Sequence, residues 1–288
     1  MKIDANSVTF EPQDMAFVKK FGILEATEMA LDYHAEHPNL PFLYDAEQLA
    51  GFLGISRGEL NDIVNHIQKE YKEAHLPKKD GTYRSLCVPS IRLRFCQDPI
   101  KEKILPQLPV SKFATAYQKG STTRGNAEPH IGKKFLLKLD ITDFFGSITF
   151  EQVQRTAFNT RYVSRQVGYL LTSLCCKDDS LPQGAATSPA LSNIVMYRFD
   201  DYIGRWCSQR QIAYTRYCDD MTFSANRPLY GVYQKVKTML REMGFELNES
   251  KTHFIGNDNR QSVTGLVVNE KLSIPSSYKR NLRQEIYY

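Results

Sequence analysis

Apolar residues along the first seventy positions recur at helical spacing. Phe17, Phe21, Leu24 and Met29 predict a helix over residues 13–36. Asp45 is placed to cap a second helix that carries Leu49, Phe52 and Leu53, with Gly54 at its end. Ser56-Arg57-Gly58-Glu59 has the form of a capping box and opens a third, with Leu60, Ile63 and Ile67. These two short helices have a helix-turn-helix outline, but no basic recognition face follows, so packing is the expected role. Residues 70–88 predict a β-hairpin turning at Asp80-Gly81, with Lys78 and Lys79 at its tip and Arg84 on its return strand. Residues 91–105 read as mostly helical, interrupted at Pro99. Phe135 to Ile141 reads as a buried strand. Helices are expected at 150–158 and 163–175, and from about Pro189 to 207. Short strands at 212–217 and 221–224 flank Cys218-Asp219-Asp220. A helix at 229–243 precedes short strands near 252–255, 263–268 and 271–274, and a further helix begins at 276–288.

Composition narrows the class without naming a chemistry. The 288 residues are 42% hydrophobic and 24% charged, which excludes a disordered or collagen-like chain. That length suits two domains or one large enzyme. No apolar run reaches membrane-spanning length, and the N-terminus lacks the apolar core of a signal peptide. The six cysteines form no C-x-x-C pair, so reduced thiols in a cytoplasmic protein are expected. The net charge of +5 is uneven: residues 69–134 hold 14 Lys and Arg against 6 Asp and Glu. The remainder is slightly acidic. Such a basic stretch is by itself an ordinary solvated face, and it permits a nucleic-acid partner.

Two acidic places change that picture. Leu137-Lys138-Leu139-Asp140-Ile141-Thr142-Asp143-Phe144-Phe145 ends a strand in a carboxylate, and Tyr217-Cys218-Asp219-Asp220 is a tight hairpin with two more. Three converging carboxylates repel one another unless cations lie between them. Two Mg²⁺ ions about 3.5–4 Å apart are the common solution, and they suit nucleotidyl transfer. Between these places lies Leu181-Pro182-Gln183-Gly184-Ala185-Ala186-Thr187-Ser188-Pro189, whose glycine permits close backbone approach.

D-x-x-D-F-F, L-P-Q-G-x-x-x-S-P and Y-x-D-D, in this order, resemble the palm of a reverse transcriptase. Asn126-Ala127-Glu128-Pro129-His130 and Val263-Thr264-Gly265 resemble the N-A-x-x-H and V-T-G signatures of the retron branch. The resemblance covers residues 40–285 and implies an α+β right-hand polymerase. It would have an N-terminal helical region (1–69), fingers (70–135), an antiparallel-sheet palm (136–262) and a primer-grip-like segment opening a short or truncated thumb (263–288). Asp140, Asp219 and Asp220 would be the catalytic, metal-binding carboxylates, joined by the Ile141 carbonyl, for two Mg²⁺ with Mn²⁺ as a substitute. Phe145 would be the steric gate under the sugar. Asp143, Phe144, Gln183, Arg84 and Arg94 would line the nucleotide. Lys251 would be either a general acid for the leaving pyrophosphate or a salt-bridge partner. Asn126, His130, Val263, Thr264 and Gly265 would face RNA or primer, although His130 equally suits a packed helix.

The implied activity is RNA-directed DNA synthesis from dNTPs on a structured non-coding RNA. It would start from an RNA 2′-hydroxyl to give branched RNA–DNA, in anti-phage defence with a separate effector protein and no membrane. Other bacterial reverse transcriptases and a silent RNA scaffold are the alternatives. Two features depart from the branch: Cys218 stands where many bacterial members have Ala, and only 23 residues follow Gly265.

Overall fold

The computed structural model describes residues 2–4, 7–77, 81–159 and 163–287. In chain order its elements are β1 (Lys2–Asp4), β2 (Ser7–Thr9), α1 (Met15–Phe21), α2 (Ile23–Glu36), α3 (Ala46–Leu53), α4 (Arg57–Asn65), β3 (Tyr71–Pro77), β4 (Tyr83–Pro89) and α5 (Ile91–Pro99). Then come α6 (Thr123–Ala127), β5 (Phe135–Asp140), α7 (Phe150–Ala157), α8 (Arg165–Cys175), α9 (Ser188–Ser208), β6 (Ala213–Tyr217) and β7 (Asp220–Ala225). The last are α10 (Tyr230–Glu242), β8 (His253–Gly256), β9 (Ser262–Val263), β10 (Leu266–Val267) and α11 (Ser276–Tyr287). Two compact units form, one from residues 1–109 with 148–195 and the other from 110–147 with 196–288.

In the first unit the expected helix over 13–36 is two helices. Gly22, at φ 81°, cannot continue a right-handed turn, so α1 stops and α2 restarts. The caps hold as read. The Asp45 carboxylate accepts the Gln48 N–H, and Ser56 with Glu59 closes a reciprocal capping box. Leu49, Leu53, Leu60 and Ile63 are buried, so the helix-turn-helix outline is a packing device. α8 is the hub on which α3, α4 and α5 pack, and its residues 170–175 are all buried. Pro99 lacks an N–H for the helical ladder, and residues 100–104 continue as a π-helical segment. β3 and β4 pair antiparallel from Tyr71 with Pro89 to Pro77 with Tyr83. Lys78, Lys79 and Asp80 lie outside the described residues.

The second unit holds a four-stranded antiparallel sheet in the order β6-β7-β5-β8. β5 is apolar on both faces because it is an inner strand. Leu136 packs with Ala127, Val263 and Val268 on one face, while Leu137 and Leu139 are buried on the other. The region expected as a strand at 263–268 is a hairpin instead. Thr264 and Gly265, at φ 44° and 82°, form the two-residue turn between β9 and β10. Residues 271–274 form no strand; Ser273 makes a single bridge to Val267. The helices and antiparallel sheet give the expected α+β fold. Among the described residues no helix is long and apolar enough to cross a membrane.

Removing the α3 cap isolates one local contribution. Asp45→Ala is expected to lower unfolding stability by about 1 kcal/mol in urea titration, while Asp45→Asn stays near native.

Candidate active site

The β5–β7 register sets Asp140 directly opposite Asp220. Asp219 lies in the two-residue turn before β7, and its carbonyl accepts the Ile141 N–H at 3.3 Å. On the other side of β5, the Asn248 N–H donates to the Asp140 carbonyl and the Thr142 N–H to the Glu246 carbonyl, both at 2.8 Å. The acidic end of β5 is therefore clamped from both flanks. The same flanking segment leads into Lys251, whose Nζ lies 3.1 and 3.0 Å from the two carboxylate oxygens of Asp140. That bond, with the neighbouring acidic charges, raises the Lys251 pKa and keeps the ammonium protonated.

The Asp220 carboxyl is raised above its ordinary range, first by desolvation, then by the charge of Asp219, with Asp140 adding to it. Lys138 and Lys251 offset part of this. Among the described residues no three acidic, His or Cys side chains already stand together as a metal cage. Asp140 instead has an ammonium on both of its oxygens. Cys218 has φ 63°, a left-handed conformation at the first turn position, where glycine is usual. Its thiol lies 3.0 Å from the Tyr117 hydroxyl, and burial pushes its pKa up to about 11. The departure from Ala thus leaves a protonated thiol beside the carboxylates.

After β5 the chain turns sharply. Asp143 is exposed at φ 43°, and its carbonyl accepts the Ser147 N–H at 2.8 Å. Phe144 does not face outward as a nucleotide contact. It is buried, with ring centroids 5.6 Å from Phe145 and 6.2 Å from Phe245. Phe145 is half-buried and is the aromatic of the pair with an open side.

The first unit carries the other nucleotide candidates. The Cys87 N–H of β4 donates to the Gln183 carbonyl at 2.7 Å. Gly184 has φ 128°, and a Cβ there would sit 2.8 Å from the Cys87 carbonyl oxygen, so only glycine lets this loop lie on the strand. Arg84 is exposed on β4 three residues before Cys87, and Arg94 is exposed on α5. Gln97, the last residue of the Arg-x-x-Gln pattern, is fully buried and donates to the Tyr71 hydroxyl and the Leu174 carbonyl.

The N-A-x-x-H and V-T-G segments come together in the second unit, mostly as interior. The Asn126 amide accepts from the Thr115 hydroxyl at 2.6 Å and donates to the Thr264 hydroxyl at 3.4 Å. Ala127 and Val263 share one apolar cluster. His130 exposes none of its surface, which corrects its expected contact with RNA. Its ring nitrogens lie 2.8 Å from Ser224 Oγ and 2.9 Å from Thr215 Oγ1, tying β6 and β7 together. Asn126 and Val263 are also buried, so of the five residues expected to face RNA or primer only Thr264 and Gly265 retain accessible surface.

Two functional-site neighbours carry no motif, Arg216 and Asp200, a buried ion pair behind the turn. Their one signal in the sequence is an Arg inside the predicted strand 212–217.

The reverse transcriptase (RNA-dependent DNA polymerase) family matches residues 76–268. The chain belongs to this family. Its relatives include the retron Ec83 reverse transcriptase of Escherichia coli, 33% identical, with 75% of each chain covered. The retron Mx65 enzyme of Myxococcus xanthus is 32% identical over 86% of this chain and 64% of its own. The retron Ec86 enzyme of Escherichia coli is 28% identical over 92% and 84%. The chain is thus a reverse transcriptase of the retron type, an RNA-directed DNA polymerase. A solved telomerase from Candida albicans, in complex with a fragment of telomeric RNA, has the same fold. Its TM-score is 0.50 at 14% identity over 73% of this reverse transcriptase and 48% of that chain.

Burial pushes the His130 pKa down to about 3, with Lys133 adding to it. A folded-state value below the ordinary 6.5 means that the unfolded chain binds the extra proton. The His130 contribution to stability is therefore complete above about pH 6.5 and is lost as pH falls toward 3, by roughly 1 kcal/mol per pH unit. Urea midpoints measured from pH 7 to pH 5 should fall less steeply for His130→Gln than for the native protein.

Proposed function

We propose that this reverse transcriptase copies a structured non-coding RNA, priming from an RNA 2′-hydroxyl to give branched RNA–DNA, and acts in the cytoplasm in anti-phage defence with a separate effector protein. What carries the polymerase assignment to residues is the register that opposes Asp140 and Asp220, with Asp219 beside them. What favours the retron reading is the bond between the two branch signatures, Asn126 to Thr264, together with the retron relatives.

The donor set suits divalent metal. Three carboxylates supply hard oxygen ligands, Asp220 is pushed toward protonation by burial and then by the charges of Asp219 and Asp140, and the Lys251 ammonium already stands as a cation against Asp140. Asp140, Asp219, Asp220 and the Ile141 carbonyl would hold two Mg²⁺, or Mn²⁺. When bound, these ions supply Lewis acidity for attack of a primer hydroxyl on the dNTP α-phosphate with loss of pyrophosphate. Lys251 keeps its proton while it is paired with Asp140, and once released it is a proton donor to pyrophosphate. Arg84 and Arg94 bind triphosphate oxygens through bidentate guanidinium contacts, and Gln183 and Asp143 contact the incoming nucleotide. The Phe145 ring excludes a 2′-hydroxyl, with Phe144 behind it. Thr264 and Gly265 face primer or RNA, while Asn126, His130 and Val263 hold them in place. In functional terms residues 70–135 serve as fingers and 136–262 as palm. Residues 263–288 are the primer grip and the start of a thumb, and residues 1–69 are an N-terminal helical region.

Nucleic acid copurifying with the native protein should contain a covalently joined RNA–DNA species; RNA and DNA that separate after protease and denaturation would remove the self-priming reading. Asp219→Asn with Asp220→Asn should abolish DNA product at least 10³-fold while RNA still copurifies. Phe145→Ala should raise ribonucleotide incorporation relative to deoxynucleotide by tenfold or more in primer extension, and an unchanged ratio would reject the gate.

A further inference from the structure

Arg216 sits in β6 with no exposed surface, and Asp200 of α9 is equally buried. Arg216 Nε lies 3.0 Å from Asp200 Oδ1, and Nη2 reaches Oδ2, a bidentate pair. The Tyr214 hydroxyl donates to the same carboxylate at 2.7 Å. Arg216 Nη1 donates at 2.8 Å to the Cys218 carbonyl. Cys218 is the strained turn residue at φ 63° that leads into Asp219 and Asp220. A side chain with a Cβ holds the left-handed region only where its surroundings enforce it. The guanidinium carbon also lies 5.8 Å from the centroid of Phe144, the ring behind Phe145. The backbone of Arg216 is bonded on both sides, its N–H to the Phe113 carbonyl and its carbonyl to the Thr115 N–H.

We propose that Arg216, oriented by Asp200, is a positioning residue. It holds the Cys218 carbonyl so that the left-handed turn persists and Asp219 and Asp220 are presented to metal, and it fixes Phe144 behind the sugar gate. The ion pair is the rigid base, and Nη1 is the arm that reaches the turn. This role presupposes that Asp219 and Asp220 are the metal carboxylates. An ion pair buried merely for packing would need no third contact to the turn, and its conservative replacement would leave the turn as it is.

Arg216→Lys tests this, because a lysine keeps one charge for Asp200 but cannot serve Asp200 bidentately and Cys218 together. Hydrogen–deuterium exchange of the peptide covering residues 216–221, measured without metal, should quicken about tenfold while exchange in α8 stays native. That is the scale of one lost hydrogen bond from a charged donor. Mn²⁺ affinity, read by the electron paramagnetic resonance of the free ion, should weaken by a similar factor. Per active site, kcat should fall about tenfold with KM for dNTP unchanged. Native exchange overturns the proposal, and so does faster exchange with native Mn²⁺ affinity. Tyr214→Phe removes one bond to Asp200 but keeps the ring stacked on Phe223 at 4.6 Å, so it remains testable if Arg216→Lys does not fold. It should shift exchange and Mn²⁺ affinity two- to threefold in the same direction, and native values there overturn the proposal equally. Asp219→Asn with Asp220→Asn serves as the control. If that variant binds Mn²⁺ normally, the carboxylate assignment fails, whatever the exchange of Arg216→Lys shows.

Discussion

Asp140 and Asp220 occupy one opposed pair of the β5–β7 ladder, and like charges in that arrangement repel at close range. Asp219 adds a third carboxylate from the adjoining turn. No packing preference would assemble such a strand end, so the surrounding structure has to hold it. It does so from three directions: the backbone clamp of residues 246–248, the ammonium of Lys251 and the buried anchor behind the turn. Each meets a different need. The clamp fixes position, Lys251 offsets charge, and Arg216 fixes the turn's conformation.

Lys251 and Arg216 divide the cationic work by exposure. Lys251 is largely solvent-exposed, so its attraction to Asp140 is screened and readily exchanged. Arg216 is wholly buried, where loss of either partner of the Asp200 pair leaves an uncompensated charge in the interior. The exposed cation is held by one carboxylate, and the buried one is held by Asp200 and by the Cys218 carbonyl.

The motifs of the retron branch divide in the same way between surface and support. Asn126 and His130 read as binding residues because they are polar and sit in a signature, yet both are enclosed by hydrogen bonds within the second unit. Their partners Thr264, Thr215 and Ser224 lie on the β9–β10 turn, β6 and β7. A signature can therefore record the fastening of a functional surface as well as the surface itself. Phe144 repeats the lesson beside Phe145, one ring packed in the interior and the other left half open.

Local chemistry was legible in the sequence where it acts over a few residues. The caps at Asp45 and Ser56, the buried run of β5, the hairpin around Cys218 and the order of the three acidic and loop motifs all depend on neighbours within one turn or strand. The break at Gly22 is not legible in the sequence because the apolar spacing continues through it, and the backbone sign of one glycine is not written in periodicity. The hairpin at Thr264-Gly265 is not legible in the sequence because a turn of only two residues barely interrupts the strand pattern of 263–268. Tertiary structure alone decided which polar side chains face water, that Lys251 lies on Asp140, and that Arg216 finds Asp200 sixteen residues away on a helix. The physical reason is that burial and ion pairing belong to surfaces brought together by folding, whereas caps, turns and periodicity belong to the chain itself.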